Sequence, residues 1–297
     1  MKEASRALPE RPARKPHWLR KKVSISGSAS LKRKLRENRL RTVCESARCP
    51  NISECFSRKL ATIMILGDNC TRNCGFCAVK GGHPAPPDPM EPENSASMIK
   101  SLGLKYAVIT SVTRDDLPDG GAAHYAATVS AVRRQCPGVK LELLIPDFRG
   151  SETALKVVLD SKPDIISHNV ETVPSLYGRV RRGADFERSQ AILRYIADYG
   201  ITAKSGIMAG LGETEGELMS TFKRLKENGV KILTLGQYLA PSRRHAKVVR
   251  YRGEEWFKRM AQKARGIGIA VVFAGPYVRS SYMADSVYSG LETGGCS

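Results

Sequence analysis

Apolar positions along the chain fall into two kinds of run. Short, β-branched runs occur at 61–66 ("ATIMIL"), 106–110 ("YAVIT"), 140–145 ("KLELLI"), 164–169 ("DIISHN"), 201–208 ("ITAKSGIM") and 231–236 ("KILTLG"). After most of them comes a longer stretch with apolar residues every three or four positions, near 122–135, 152–160, 186–199, 213–228 and 254–266. A last apolar run, "IAVVFAG", lies at 269–275. Strands alternating with helices predict an α/β fold with a parallel sheet and crossover helices. Six such units predict a partial (β/α)6 TIM-like barrel with N-terminal and C-terminal extensions. In such barrels chemistry gathers at the C-terminal ends of the strands. The polar and Gly-rich pieces "TSVTRDD", "IPDFRG", "HNVET", "KSGIMAGLGE" and "GQYLAPS" fall at those ends. Upstream, 30–43 reads as a helix with Leu31, Leu35 and Leu40 on one face, and residues 1 to about 30 read as irregular.

Composition changes this picture little, and charge changes it more. The hydrophobic content of 41% and charged content of 26% suit a soluble globular protein. No apolar run is long enough to cross a bilayer, and the N-terminus lacks the apolar core of a signal peptide. The expectation is a cytoplasmic protein with no membrane partner. The net charge is +19, and residues 1–40 carry thirteen Lys/Arg against three Glu. A basic tail of this kind is either a solvated face or a handle for an acidic partner. Trp18 stands alone in it, with no aromatic-rich nucleic-acid motif, so no nucleic-acid partner is expected.

Cysteine carries the candidate chemistry. Six of the eight cysteines form two triplets: Cys44, Cys49 and Cys55, then Cys70, Cys74 and Cys77. At this cysteine frequency one fixed triplet arises by chance roughly 0.006 times, so neither is accidental. In a reducing compartment such clusters are metal ligands more often than disulfides. For the second triplet two readings stand. A structural zinc site would add His83 as fourth ligand. An iron–sulfur cubane, which normally takes four thiolates, would keep one iron open for a reacting group. Cys136, at a predicted helix end, reads as a buried thiol, and Cys296 as a free tail thiol.

"CTRNCGFC", with Phe76 before the third cysteine, resembles the C-x3-C-x2-C signature of radical S-adenosylmethionine (SAM) enzymes. "CESARCPNISEC" resembles the C-x4-C-x5-C motif of one family among them, the lipoyl synthases, and "RSSY" at 279–282 resembles that family's serine motif. The likeness runs from about residue 17 to 286, through "ITSVTRDDLPDGGAAHY", "LIPDFRG", "HNVETVPSLYGRVRRGADF", "TAKSGIMAGLGET" and "LTLGQYLAPS". Met283, often histidine in the family, and the loop "PSRRHAKVVRY", which lacks a proline often seen there, depart from the pattern.

The resemblance implies two [4Fe-4S] clusters and SAM. Cys70, Cys74 and Cys77 would hold the cluster whose open iron binds SAM. Cys44, Cys49 and Cys55 would hold an auxiliary cluster whose fourth iron takes Ser281. The implied activity is a sulfurtransferase reaction: two SAM-derived radicals remove hydrogens at C6 and C8 of a protein-bound octanoyl-lysine, and the auxiliary cluster supplies the sulfur. Asn169 and Glu171, and then Lys204 and Glu213, are expected in the SAM pocket beside Phe76. Asp115, Asp116, His124 and Arg149 are expected as structural groups at loop bases, and Arg279 as orienting the serine loop or meeting the partner. Implied partners are an octanoylated lipoyl-carrier domain or glycine-cleavage carrier protein, a reductant such as flavodoxin or ferredoxin, and an iron–sulfur carrier that rebuilds the auxiliary cluster. The expected layout is a basic extension over 1–57, a radical SAM barrel over 58–275 and a serine-bearing extension over 276–297. Rival readings are a biotin-synthase-like enzyme acting on a free small molecule and a metal-stabilised basic binding protein.

Overall fold

The computed structural model describes residues 15–19, 29–58 and 60–284. The basic segment and Cys296 thus lie mostly or wholly outside the described residues. After a short helix α1 (Ala29–Glu37) come strand β1 (Arg41–Thr42) and two short helices, α2 (Val43–Ser46) and α3 (Ile52–Ser57). Strand β2 (Thr62–Ile65) leads into a small ribbon of β3 (Asn69–Cys70) and β4 (Lys80–Gly81). Then helices and strands alternate: α4 (Glu91–Leu102), β5 (Tyr106–Ser111), α5 (Ala122–Gln135), β6 (Lys140–Leu144), α6 (Glu152–Asp160), β7 (Ile165–Ser167). A four-residue turn of helix, α7 (Tyr177–Val180), precedes α8 (Phe186–Asp198), β8 (Thr202–Ala209), α9 (Glu215–Glu227), β9 (Ile232–Gln237), α10 (Glu254–Gly266) and β10 (Val271–Gly275).

Seven strands pair in parallel in the order β2-β5-β6-β7-β8-β9-β10, and β1 adds antiparallel to β2. The sheet ends on β1 and β10, which do not pair, so the barrel is open. The six expected β/α units are all present, with the 269–275 run as the closing strand. Strands such as β2, buried at every position, read as continuous apolar runs because helices cover one face and the barrel interior the other. Helix α9 shows the local logic. Leu218, Thr221, Phe222 and Leu225 form its buried stripe. Thr214 and Glu217 form a reciprocal capping box that satisfies the first free N–H groups.

One local expectation fails for a physical reason, and one helix is absent from the sequence reading. The helix expected over 30–43 ends at Glu37, because Arg39 takes a left-handed φ of 55° and Leu40 N–H closes onto Leu35 O at 2.8 Å. Arg41 and Thr42 then pair with Met64 and Ile63, which satisfies the free edge of β2. Leu31, Leu35 and Leu40 are nonetheless all buried in the main core. The polar face of α4 hid that helix, although Pro92 and two Glu in its first turn and left-handed Gly103 at its end mark it.

The open side of the barrel is filled by the chain's two ends. Asn51 Nδ2 donates to Tyr277 O at 2.7 Å, and Tyr282 OH donates to Glu54 Oε1 at 2.9 Å. The segment after β10 lies against β9 so closely that a Cβ on Gly236 would fall 2.1 Å from Val278 O. Segments from opposite ends of the sequence therefore meet over one interior space.

Candidate active site

That space is a cavity of about 480 Å³. Cys44, Cys49 and Cys55 line it, as do Ser280 and Ser281, and so do Cys77, Phe76, Asn169 and Glu171. The first cysteine triplet, Cys77 of the second and the serine motif thus open onto one chamber.

The first triplet is shaped by two short helices and a tight reversal. Thr42 caps α2 by accepting Glu45 N–H. Cys49 N–H donates to Cys44 O at 2.9 Å, and Arg48 between them has a φ of 52°. Cys55 N–H donates to Asn51 O at 2.9 Å inside α3. The second triplet sits on a loop that leaves β3 and returns through β4. Gly75 N–H donates to Val180 O at 2.8 Å, Ala246 N–H to Gly75 O at 2.7 Å, and His245 Nε2 lies 3.0 Å from Cys77 O. The loop is therefore clasped by segments that follow β7 and β9.

All six cysteines are half-buried, while Cys136 is buried, as expected. Burial pushes the Cys44 and Cys74 thiols up to about 11 and the Cys77 thiol up to about 12. Such thiols become thiolates at neutral pH only against a metal's charge. Among the described residues no three His, Cys, Asp or Glu side chains converge as ligands of a single ion. A zinc site on Cys70, Cys74, Cys77 and His83 is thus not assembled, and His83 is exposed. Three soft sulfur donors on one loop suit, by their chemistry, an iron–sulfur cluster.

The end of β7 supplies polar groups that await partners. His168 Nε2 and Asn169 Oδ1 are buried without a hydrogen bond. Burial, with Arg181 nearby, holds the His168 imidazole down to about 3, so it is neutral. Burial raises the Glu171 carboxyl, with Arg181 and an Asn169 Nδ2 hydrogen bond of 3.0 Å opposing. Opposite Asn169 a Cβ on Gly206 would lie 2.7 Å from Asn169 Oδ1 and 2.8 Å from Thr234 Oγ1. Glycine keeps that wall open. The unpartnered amide oxygen and raised carboxyl suit the amino and hydroxyl groups of SAM, so the residues present fit this ligand and a cluster beside it. Replacing Gly206 with alanine should therefore raise the dissociation constant for SAM by about tenfold, or about 1.4 kcal/mol. Equilibrium binding of SAM to the reconstituted protein measures it, and an unchanged constant would detach Asn169 from the ligand.

Two expected pocket residues have other partners. Lys204 is wholly buried inside the barrel, and its Nζ donates to both Glu142 oxygens at 2.8 Å. It does not line the cavity, because its ammonium is held by Glu142 of β6, a partner that also receives Tyr106 OH at 2.6 Å. Glu213 is buried too. Its carboxylate accepts the N–H groups of Gly210, Leu211 and Gly212 at 2.7, 2.8 and 3.1 Å, so it shapes the turn and leaves the ligand to others. The loop-base expectations agree with the contacts: Asp116 pairs with Arg114 and His124 with Glu91. Arg279 is half-buried on the cavity wall, its Nη1 donating to Val278 O at 2.6 Å. Sequence reasoning missed Arg72, Asn51 and His245, although the first two lie inside the two cysteine motifs and the third inside the loop "PSRRHAKVVRY".

A family model described as the Radical SAM superfamily matches residues 64–225. The chain is a radical SAM enzyme, with SAM and an iron–sulfur cluster as cofactors. It is 49% identical over 274 residues to a lipoyl synthase of Caldanaerobacter subterraneus subsp. tengcongensis, covering 92% of this chain and 96% of that one. It is 51% identical over 273 residues to a lipoyl synthase of Geobacter metallireducens, covering 91% and 96%. The chain belongs to the lipoyl synthase family of radical SAM sulfurtransferases. Its fold resembles that of Streptococcus suis SuiB bound to the precursor peptide SuiA, with a TM-score of 0.55 at 12% identity over 77% of this chain and 50% of that one. Among the described residues no helix is long and apolar enough to cross a membrane.

Proposed function

We propose that the chain converts protein-bound octanoyl-lysine to lipoyl-lysine, inserting sulfur at C6 and C8 with two SAM and with an auxiliary [4Fe-4S] cluster as sulfur donor. The observation that carries this reading is the single chamber lined by Cys44, Cys49, Cys55 and Ser281 together with Cys77 of the second triplet. Cys70, Cys74 and Cys77 would hold one cluster, and Cys44, Cys49, Cys55 and Ser281 the other. When bound, the first cluster would supply the electron that splits SAM and the second the sulfur for the product. The chain's own residues do the rest. Asn169 and Glu171 bind the polar parts of SAM, and Phe76, packed beside Leu211 and Tyr238, covers an apolar part. Val108, Leu144 and Met208 give the cavity an apolar lining for an acyl chain.

Unactivated C–H bonds offer no acidic hydrogen, so a radical route needs its sulfur source within reach. A chamber shared by the first triplet and Cys77 of the second meets that need. The sulfur acceptor would be an octanoylated lipoyl-carrier domain or glycine-cleavage carrier protein, with a flavodoxin or ferredoxin as reductant and an iron–sulfur carrier for rebuilding. The test is anaerobic turnover with an octanoyl-lysyl peptide and SAM. The expected product is the peptide gaining two sulfur atoms by mass spectrometry, from protein holding about eight irons per chain. A peptide returned unchanged while SAM is cleaved, or zinc in place of iron, would overturn the reading.

A further inference from the structure

Arg72 lies two residues after Cys70 and two before Cys74. Its guanidinium is 9% exposed and forks between two carboxylates. Nε and Nη2 donate to Asp115 at 2.7 and 2.9 Å, and Nη1 and Nη2 donate to Asp147 at 2.9 and 2.6 Å. Asp115 follows β5 and Asp147 follows β6, so one side chain ties the cysteine loop to two neighbouring strand ends. Asp147 is fully buried and also accepts Arg188 Nη1 at 3.2 Å. Thr71 repeats the attachment: its N–H and Oγ1 both donate to Thr113 O at 3.0 Å, and Oγ1 accepts Asp115 N–H at 3.0 Å. Arg72 N–H itself points at Cys70 Sγ, 3.4 Å away.

None of Arg72, Asp115 or Asp147 lines the cavity, so this cage does not touch substrate. Burying Arg72 with Asp147 is costly, and a simple tether would need only the partly exposed Asp115. A planar fork held on both edges fixes direction as well as position, which a lysine cannot do. We infer that Arg72 is a positioning residue for the radical-generating site: it locks the Cys70–Cys74 segment to the ends of β5 and β6, so that the barrel and not the metal sets the loop's geometry. The loop between two ligands is then preorganised. Its rigidity governs how SAM meets the cluster more than whether a cluster is held.

The inference rests on the reading of Cys70, Cys74 and Cys77 as cluster ligands, and its test keeps the two apart. Full-length protein is reconstituted anaerobically with iron and sulfide and compared with Arg72→Lys and Asp115→Asn. Arg72→Lys keeps the charge and loses the fork; Asp115→Asn weakens one edge and spares Asp147. Expected for Arg72→Lys are iron content near that of the unsubstituted protein, an altered electron paramagnetic resonance spectrum of the reduced cluster with SAM, and cleavage of SAM slowed at least about tenfold in kcat with KM nearly unchanged. Asp115→Asn should show the same spectral change with a smaller rate loss, and it decides the matter if Arg72→Lys does not fold. Unchanged spectra and rates with only a lowered melting temperature would overturn the inference. If the unsubstituted protein holds no iron–sulfur cluster or leaves SAM uncleaved, the ligand reading itself fails.

Discussion

Cys70→Ala should abolish cleavage of SAM, whereas Cys49→Ala should leave cleavage running and stop sulfur transfer. Both cysteines are half-buried, so burial alone does not separate them. Their surroundings do. The Cys70 loop is clasped by Val180, Ala246 and His245 and joins the wall that carries Asn169 and Glu171. The Cys49 turn is joined instead to the segment bearing Ser281, through Asn51 and Glu54. Loss of one ligand should cost at least roughly 100-fold in the step its cluster serves, since even an outer-shell partner costs 10- to 100-fold. The assay is anaerobic: methionine and 5′-deoxyadenosine report cleavage, and peptide mass reports sulfur gained. Iron should fall by about half in either variant. Loss of cleavage in Cys49→Ala with its retention in Cys70→Ala would reverse the two assignments.

How much of this was legible in the sequence depends on the range of each contact. Strands of a parallel barrel are buried on both faces, so β2, β5 and β9 announce themselves as unbroken β-branched runs. Helix α9 announces itself by its stripe and its capping box. The triplets stand out because cysteine is rare. The closure of the barrel was not legible. Asn51 meets Tyr277 across 226 residues and Glu54 meets Tyr282 across 228, and no periodicity spans such a distance. Lys204 fails for a related reason. Alternation says that it points inward, but only Glu142, 62 residues away, decides that it ends in an ion pair and not at the cavity. Arg72 hid inside a motif whose cysteines drew all the attention, while its two carboxylates stand 43 and 75 residues downstream. Local patterns reveal elements; side chains that choose partners across strands are fixed only when the elements assemble.

Ser281→Cys should keep both clusters and SAM cleavage yet reduce lipoyl formation by roughly 100-fold or more. Ser281 reaches the chamber on a segment that three contacts pin in place: Asn51 on Tyr277, Glu54 on Tyr282, and the bare Cα of Gly236 beneath Val278 O. A hydroxyl held there would be a hard oxygen donor on a cluster whose other ligands, Cys44, Cys49 and Cys55, are soft thiolates. The mismatch makes it the ligand most easily exchanged, which a cluster that must give up sulfur to a carbon radical requires. A thiolate at the same place would close the set with four matched donors and hold that iron fast. The substitution changes one atom, so packing around Ser281 should survive, and iron content with the cluster's absorption should confirm it. Gly236→Ala reaches the same step by another route: its new methyl must push Val278 and the serine segment away from β9, so sulfur transfer should fall in step with cluster iron. Full lipoyl formation by Ser281→Cys would show that this residue never leaves its iron during the reaction, and the exchangeable ligand would then have to be sought among the cysteines themselves.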